Sequence, residues 1–382
     1  MSKSVYIVAV ETSADHLGAE LIEHIKTESP LIDCLGIGGP AMEAKGVKSE
    51  IDISGLAILG FIEGVKSYPY IMKRVKETVA SIMAKKPNAV ILIDSWGFMI
   101  RVSQRLKQAG YEGQIIKYLA PQVWAMREGR SKILAQSVDH LMTIHNFDAP
   151  YFEKHGLAVT YVGNPIFDTD YLSGDGAQLK AEYDLSSQDG ILSVFFGSRL
   201  SEIKTLSAVF AQTVEQLQTS RPALKIFSPV SDLIADDVKE VVAGDPRLST
   251  IKLVSEHRKL DVFAASDVAL ACSGTVTTQL ACAGVPTVVA YKLNPMTFAV
   301  AKRLYKPDYI SLVNIAAQEE LLPEFVQDDV TAENLQGAIS EYFEDEAYRQ
   351  ERSAKLIEQT RLMHGKGGLA SQRAAQTVVA LL

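Results

Sequence analysis

Short β-branched runs alternate with amphipathic stretches along this chain, and the alternation occurs twice. The first set of runs comprises SVYIVAV, DCLGIGG, NAVILID, QIIKYLA, DHLMTIH and VTYVG, with helix-like stretches such as 14–27, 66–84, 97–109 and 149–155 between them. The second set comprises ILSVFFG, ALKIFSP, STIKLV, DVALAC and PTVVAY. Strands that alternate with helices in this way are typical of parallel sheets covered by helices. The pattern therefore predicts an α/β protein with two successive open sheets.

A segment near residue 165, rich in Pro, Gly, Asp and Ser, separates the two sets and is typical of a linker. We place one domain at 1–166, a second at 167–366 and a C-terminal helix at 367–382. At 382 residues and 47% hydrophobic composition, the chain is long enough for each domain to bury its own core. Ligands bind at the carboxyl ends of strands in such sheets, so we expect the chemistry in the loops that follow them.

Several bulk properties exclude whole classes of protein. The net charge of −8 argues against a general nucleic-acid binder, which needs a basic surface. The N-terminal sequence lacks a charged-then-apolar leader, and no apolar run approaches the roughly 20 residues that span a bilayer. Cys34, Cys272 and Cys282 lack the spacing of a disulfide framework or a metal site. We therefore expect a cytoplasmic protein, without metal or cofactor, that touches membranes only peripherally.

Acidic and hydroxyl side chains follow the first and third predicted strands. Glu11 lies at a predicted carboxyl edge, where a carboxylate is a candidate general base and equally a structural hydrogen bonder. Ser13 is a candidate to bind substrate, and Asp15 is a candidate base. The alternative is that both residues cap the helix that follows. Asp94 ends the run NAVILID and is a further candidate base, with helix capping as the alternative.

Two strand-to-helix loops of the second domain carry groups that suit a phosphate. In VFFGSRLSEI, Ser198 can donate to an oxygen and Arg199 supplies a fork of N–H donors. An anion is favoured at a helix N-terminus, because free N–H groups and the helix dipole both attract negative charge. The loop in LACSGTVTT offers the backbone amides of Ser273, Gly274 and Thr275 at the same predicted edge. Either loop alone is a weak signal, whereas together they predict a diphosphate cradle.

Signatures of other enzyme classes are missing from the sequence. It contains no GxxxxGK[ST] motif, and GIGGPAMEAKG is not followed at the right distance by the ribose-binding acid of a dinucleotide fold. NTPase and dehydrogenase functions are therefore disfavoured. His145 and His364 are better explained as packed or capping residues than as ligands.

Taken in order, the segments resemble the lipid-A-disaccharide synthase family over nearly the whole chain. The resembling stretches include VETSADHLGAELI, GIGGPAMEAKG, LIDSWGF, APQVWAMREGR, GSRLSEI and YISLVNIAA, and the block 273–325 is the most specific. The resemblance implies a GT-B glycosyltransferase, with two Rossmann-like domains whose sheets face an interdomain cleft. It implies inverting transfer of 2,3-diacylglucosamine from its UDP derivative to 2,3-diacylglucosamine 1-phosphate, on the cytoplasmic face of a Gram-negative inner membrane, by a monomer or a homodimer.

The resemblance also extends the predicted UDP site. It adds Gln279, where the family usually has an acid, and Asn314 to the residues expected to hold UDP. It implies no metal, because Arg199 and the backbone amides would neutralise the leaving diphosphate.

The strand tip after NAVILI departs from the family pattern. Trp96 and Gly97 stand where the family usually has Pro-Asp, and the change removes a carboxylate. The base would then be Asp94, Glu11 or Asp15, in that order. A GT-B enzyme with another acceptor or sugar nucleotide, a UDP-sugar epimerase of related fold, and an inactive lipid-binding paralogue remain as alternatives.

Segment 56–75, LAILGFIEGVKSYPYIMKRV, carries widely spread apolar and aromatic residues, with Lys66, Lys73 and Arg74 among them. This composition favours an interfacial element that inserts into the headgroup region of a membrane. Pro69 breaks regular helix, so we expect two short pieces or a loop. An ordinary buried helix is the alternative.

Overall fold

The computed structural model describes residues 3–53, 56, 68–186, 189–231, 234–365 and 367–382. The chain divides into two compact units. The first unit comprises Met1–Pro165 and Lys366–Leu382, and the second comprises Ile166–Gly365. Each unit contains a six-stranded sheet whose paired strands all run parallel, so the predicted α/β class is confirmed.

The sheet of the first unit has the strand order β2-β1-β3-β4-β5-β6. Its strands are β1 Ser4–Val8, β2 Asp33–Ile37, β3 Ala89–Ile93, β4 Gln114–Tyr118, β5 His140–Thr143 and β6 Ala158–Tyr161. All six overlap the apolar runs of the sequence. Strand β3 shows why they form: all five residues of AVILI are buried, as expected for β-branched side chains that pack on both faces of a parallel sheet.

Helices cover both faces of this sheet. They are α1 Thr12–Glu28, α2 Pro40–Ala44, α3 Tyr68–Lys85, α4 Trp96–Gln108, α5 Arg130–Ala135 and α6 Ala149–Glu153. On one face, Ile7 and Ile91 pack with residues of α1, and on the other, Val8 and Val90 pack with residues of α3 and α4. Because both faces are buried, polar side chains reach the surface mainly where the strands end.

The interfacial prediction for 56–75 lies partly outside the described residues, which include Leu56 and the part from Tyr68 onward. In the described residues, helix α3 spans Tyr68–Lys85 and includes Pro69. Leu56 and Val75 are buried in the core against the sheet. These described residues therefore pack as core, and for 57–67 the interfacial element stays a prediction.

The sheet of the second unit has the strand order β12-β11-β10-β7-β8-β9. Its strands are β7 Ile191–Phe195, β8 Lys225–Val230, β9 Ile251–Ser255, β10 Val268–Cys272, β11 Thr287–Tyr291 and β12 Glu324–Val326. The first five overlap predicted runs, whereas β12 has only three residues and was missed. The order places β10 directly beside β7, so the two loops predicted to hold a phosphate leave neighbouring strands.

Helices and single 3₁₀ turns complete the second unit. The helices are α7 Gly176–Glu182, α8 Leu200–Ser220, α9 Ala235–Gly244, α10 Lys259–Ala265, α11 Thr275–Cys282, α12 Pro295–Leu304, α13 Leu312–Ala317, α14 Ala332–Glu344 and α15 Glu346–His364. The 3₁₀ turns are Pro165–Asp168, which begins at the boundary between the units, Pro246–Leu248, Glu256–Arg258 and Gln327–Asp329.

The last helix, α16 Ala370–Leu381, belongs to the first unit. Its small buried residues Ala374 and Ala375 and the buried Val378 pack in the same core as Leu21 and Ile22 of α1. The chain therefore returns to the first unit after completing the second.

Candidate functional site

A cavity of about 370 Å³ lies in the second unit where the neighbouring strands β7 and β10 end. It is lined by six of the seven residues that the sequence predicted for UDP: Ser198, Arg199, Ser273, Gly274, Thr275 and Gln279. They meet there because parallel strands in one sheet present their carboxyl ends at the same edge. The structure thus brings together the cationic side chain, hydroxyl groups and helix N-terminus that a diphosphate requires.

Glu202 forms two hydrogen bonds with the first loop of this cavity. Its carboxylate accepts the backbone N–H of Ser198 at 3.0 Å and the Nη1 of Arg199 at 2.7 Å. Gly197 has φ +115°, and a Cβ there would lie 2.8 Å from the Glu202 side chain, so this close approach requires glycine. The Arg199 side chain is 74% exposed, which leaves other faces of its guanidinium open to a ligand.

The second loop offers fewer free amides than the sequence predicted. The N–H of Ser273 donates to the carbonyl of Ala290 at 3.1 Å, because it continues the ladder between β10 and β11. The N–H groups of Gly274 and Thr275 form no backbone hydrogen bond in the described part of the chain. The prediction for the Ser273 amide is therefore corrected, and its hydroxyl is left as the candidate group.

Asn314 is not part of this cavity. Its side chain is 0% exposed and donates to the carbonyl of Leu322 at 2.7 Å and to Glu324 at 2.9 Å, while its oxygen accepts the N–H groups of Leu321 and Leu322. Four internal hydrogen bonds use the full capacity of one amide. This side chain therefore ties helix α13 to the start of β12, and a role of Asn314 in holding UDP stays a prediction.

The same cavity includes two charged residues that the sequence reasoning missed. Glu256 and Lys259 follow β9 and form an ion pair at 3.3 Å. Their signal in the sequence was a third strand-to-helix loop, SEHRKLD, which ends at the same sheet edge as the other two.

In the first unit, the carboxylates of Asp94 and Glu11 both interact electrostatically with one buried lysine, Lys117. Asp94 follows β3 with φ +51°, and Ser95 has φ +37°, so two successive residues occupy the left-handed region that L-residues rarely adopt. Lys117 in β4 is 3% exposed, and burial lowers its pKa to about 7, although the carboxylates of Asp94 and Glu11 oppose this change. Lys117 was missed, but a lysine inside the apolar run QIIKYLA was its signal, since buried lysines are rare.

Asp15 has a different role from Asp94 and Glu11. It is 4% exposed, and its carboxylate accepts the N–H groups of Gly39 at 2.7 Å, Ala41 at 2.9 Å and Met42 at 3.1 Å. A Cβ at Gly39 would lie 2.7 Å from the Asp15 carboxylate, so the glycines of GIGGP allow the two segments to meet. Asp15 therefore caps α2 rather than the helix in which it lies, which is the helix that the sequence predicted it to cap, and three backbone N–H groups occupy its oxygens.

The remaining predicted residues of the first loop are more open. Glu11 is the N-cap of α1 with an extended backbone and no side-chain capping bond, and it is half-buried. Ser13 lies exposed in the first turn of α1.

The two histidines named from the sequence have packing or hydrogen-bonding environments. His145 contacts the rings of Trp124 and Phe147, and burial lowers its pKa to about 4. His364 lies 3.1 Å from the carboxylate of Asp168. Within the described part of the chain, no three His, Cys, Asp or Glu side chains are grouped as metal ligands.

Comparison with known proteins identifies the family. A family model described as lipid-A-disaccharide synthetase matches residues 5–378. The chain is 36% identical to the lipid-A-disaccharide synthase of Rhodospirillum centenum, over 98% of this chain and 94% of that protein. This chain belongs to the lipid-A-disaccharide synthase family. As a member, it is a glycosyltransferase that forms the lipid A disaccharide, as the resemblance implied.

Solved structures with low sequence identity share the fold of this lipid-A-disaccharide synthase family member. The UDP-GlcNAc 2-epimerase of Neisseria meningitidis, bound to UDP-GlcNAc, has a TM-score of 0.63 at 9% identity, covering 99% of this chain and 98% of that one. MurG of Acinetobacter baumannii has a TM-score of 0.60 at 14% identity, covering 99% of both chains. These likenesses concern the fold alone, and the predicted GT-B class is confirmed.

The loop after β4 carries two arginines, Arg127 and Arg130, and Arg130 contacts Trp96, one of the two residues that depart from the family motif. Arg130 lies over the ring of Trp96, with its guanidinium carbon 5.1 Å from the ring centre. Burial and the positive charge of Arg127 both lower the pKa of Arg130. Glu128, between the two arginines in sequence, pairs with Lys154. Among the described residues no carboxylate forms an ion pair with either arginine, so the loop presents two uncompensated cations.

In the described residues, no helix is both long enough and apolar enough to cross a bilayer.

Proposed function

We propose that this chain transfers 2,3-diacylglucosamine from its UDP derivative to the 6-hydroxyl of 2,3-diacylglucosamine 1-phosphate with inversion, releasing UDP. The observation that carries the proposal is the cavity at the ends of β7 and β10, where Arg199 and the N-terminal amides of α11 meet. Charge that develops on the leaving diphosphate is stabilised best by donors that are already oriented before the reaction. Ser198, Ser273 and Gln279 would orient the remaining oxygens of UDP.

The base in this proposal is Asp94, with Glu11 as the second candidate. Inversion requires a base that removes the proton of the acceptor hydroxyl on the face opposite the leaving group. Asp94 keeps its carboxylate free of hydrogen bonds to other described residues, whereas the carboxylate of Asp15 is fully used by backbone N–H groups. Gly97 therefore need not abolish activity, because a strand-tip carboxylate remains three positions earlier.

The acceptor in this proposal carries a phosphate, and the two uncompensated arginines suit it. Arg127 and Arg130 could bind its oxygens with charge-assisted hydrogen bonds, and the ring of Trp96 fixes the Arg130 guanidinium. The loop APQVWAMREGR that carries both arginines follows β4, which is the neighbour of the Asp94 strand in the sheet. We therefore assign the acceptor phosphate to this loop.

The test is UDP release by the purified protein with four pairings of substrates. The donor is either diacylated or non-acylated UDP-glucosamine derivative, and the acceptor is either the diacylated 1-phosphate or its non-acylated counterpart. We expect release only when both are acylated, and a disaccharide with inverted anomeric configuration. Release with non-acylated substrates would point to another acceptor, conversion of the UDP-sugar without acceptor would point to an epimerase, and no turnover with any pair would support the inactive paralogue.

We further propose that segment 56–75 brings the protein to the membrane surface that holds these acylated substrates. Basic residues near an anionic surface each contribute roughly 1 kcal/mol, and buried apolar side chains contribute ~25 cal/mol per Å². Replacing Ile62, Val65 and Met72 with Ser should release the protein from anionic vesicles while it stays folded. Unfolding of this variant in detergent-free buffer, without release, would show instead that these residues belong to the core.

A further inference from the structure

Lys117 makes a set of hydrogen bonds that joins the ends of two neighbouring strands. Its Nζ donates to the carbonyl oxygens of Asp94 at 2.6 Å, of Tyr118 at 3.0 Å and of Leu92 at 3.3 Å. An ammonium group has three N–H donors, and three carbonyl acceptors match it completely. The buried side chain thus binds the end of β3 to the end of β4 through a charge.

The main chain of Asp94 is fixed from both sides by this arrangement. Its N–H donates to the carbonyl of Tyr118 at 3.0 Å, and its own carbonyl accepts from Lys117. The Tyr118 carbonyl therefore accepts from both Asp94 and Lys117, which closes a three-residue network. Left-handed backbone at Asp94 and Ser95 is costly for residues with a Cβ and persists only where the surroundings hold it.

A role in packing alone does not explain a lysine at this position. The neighbouring residues Ile115, Ile116 and Tyr118 are buried as well, and an apolar residue would avoid the cost of burying a charge. In the described part of the chain, the charged groups that act on Lys117 are Asp94 at the end of β3 and Glu11 before α1. They are the two carboxylates that we propose as base candidates, so the buried cation is shared by both.

We propose that Lys117 is a positioning residue of the transferase site, whose ammonium holds the strained backbone from which the Asp94 carboxylate extends. This inference rests on the proposed function for the role of Asp94. It also makes a structural claim that is independent of activity, namely that the strand tip at 92–98 is ordered by Lys117.

The test compares Lys117→Met and Lys117→Arg with the wild type and with the control Lys107→Met. Lys107 lies at the half-exposed end of α4 and pairs with Asp139, so the control removes a lysine of the same unit. We expect Lys117→Met to lower kcat at least tenfold with little change in the KM for the donor. Lys117→Arg should recover part of kcat, and Lys107→Met should behave as wild type.

Hydrogen exchange supplies the readout that does not depend on activity. Amides of 92–98 should exchange faster in Lys117→Met and not in Lys107→Met. If the wild type turns over no substrate pair, the proposed function fails while the exchange experiment still decides the structural claim. Unchanged exchange together with unchanged kcat would overturn the inference.

The arginine variant keeps the inference testable if Lys117→Met does not fold. Burial lowers the pKa of Lys117 to about 7, so the wild type loses the ammonium as the pH rises above that value. Arginine stays protonated throughout this range. Activity should therefore fall on the alkaline side in the wild type and be retained to higher pH in Lys117→Arg. An identical alkaline limb in both proteins would contradict the role of the charge.

Discussion

Asp15 and Asp94 both follow a strand of the first sheet, and the structure predicts opposite effects when each is changed to Asn. In Asp15→Asn, one oxygen can keep the N–H groups of Gly39 and Met42, but the new NH₂ group faces the N–H of Ala41. That change removes the charge from three hydrogen bonds and leaves one buried donor without an acceptor. In Asp94→Asn, no hydrogen bond between the carboxylate and another described residue is lost.

The magnitudes follow from these contacts. Hydrogen bonds to a charged group contribute ~1.5–3 kcal/mol and an unsatisfied buried donor costs about as much, so a loss of about 3 kcal/mol is expected for Asp15→Asn. In a unit of roughly 180 residues this lowers the melting temperature by about 6–12 °C. Asp94→Asn should lower it by less than Asp15→Asn does, because it costs no hydrogen bond of the carboxylate to another described residue and only the attraction between that carboxylate and Lys117. Its turnover should fall by ~10²–10⁴-fold, as for the loss of a general base.

The assay measures thermal unfolding and UDP release on the same preparations, with turnover expressed per folded molecule. Glu11→Gln serves as the third variant, because it separates the second base candidate from the first. A loss of turnover greater than a hundredfold in Asp15→Asn, without a lower melting temperature, would refute the capping role. If neither Asp94→Asn nor Glu11→Gln loses more than a few-fold while the wild type is active, the base assignment is wrong.

Three further variants test other parts of the structure. Arg199→Ala should weaken UDP binding by ~1.5–3 kcal/mol, or roughly 10- to 100-fold by calorimetry, while Arg221→Ala, paired with Glu344 in the same unit, should not; equal affinities would remove Arg199 from the site. Arg130→Gln should raise the KM for the phosphorylated acceptor at least tenfold and leave the KM for the donor unchanged, and a parallel rise in both would contradict phosphate recognition. Asp148, 1% exposed, has a pKa raised to about 7 by burial, so folding retains a proton that the unfolded chain loses above about pH 4. The free energy of unfolding of the wild type should therefore fall as the pH rises from about 4 to about 7. Asp148→Asn should be more stabilising at pH 8 than at pH 5. An equal increase in the free energy of unfolding at both pH values would contradict a raised pKa of Asp148.

Elements that depend on local pattern could be predicted from the sequence. The apolar runs predicted eleven of the strands that the structure describes, because a strand buried on both faces must be apolar along its length. Strand β12 was not predicted, because three residues between loops are too few to show a hydrophobic period. The position of Ser198, Arg199, Gly274 and Thr275 after strands was also readable, because strand ends in parallel sheets mark where ligands bind.

The fold determines which of these groups lie together and which already have hydrogen-bond partners. Placing β10 beside β7 created the cavity, and that order is a long-range choice with no local signal. Asp15 and Asp94 both follow strands, yet the N–H groups of Gly39, Ala41 and Met42 donate to the oxygens of Asp15 alone. The family resemblance placed Asn314 among the UDP-binding residues. In the structure, its side chain forms four hydrogen bonds with other residues of the second unit. Burial and hydrogen-bond saturation depend on residues distant in the chain, and a sequence read locally cannot supply them.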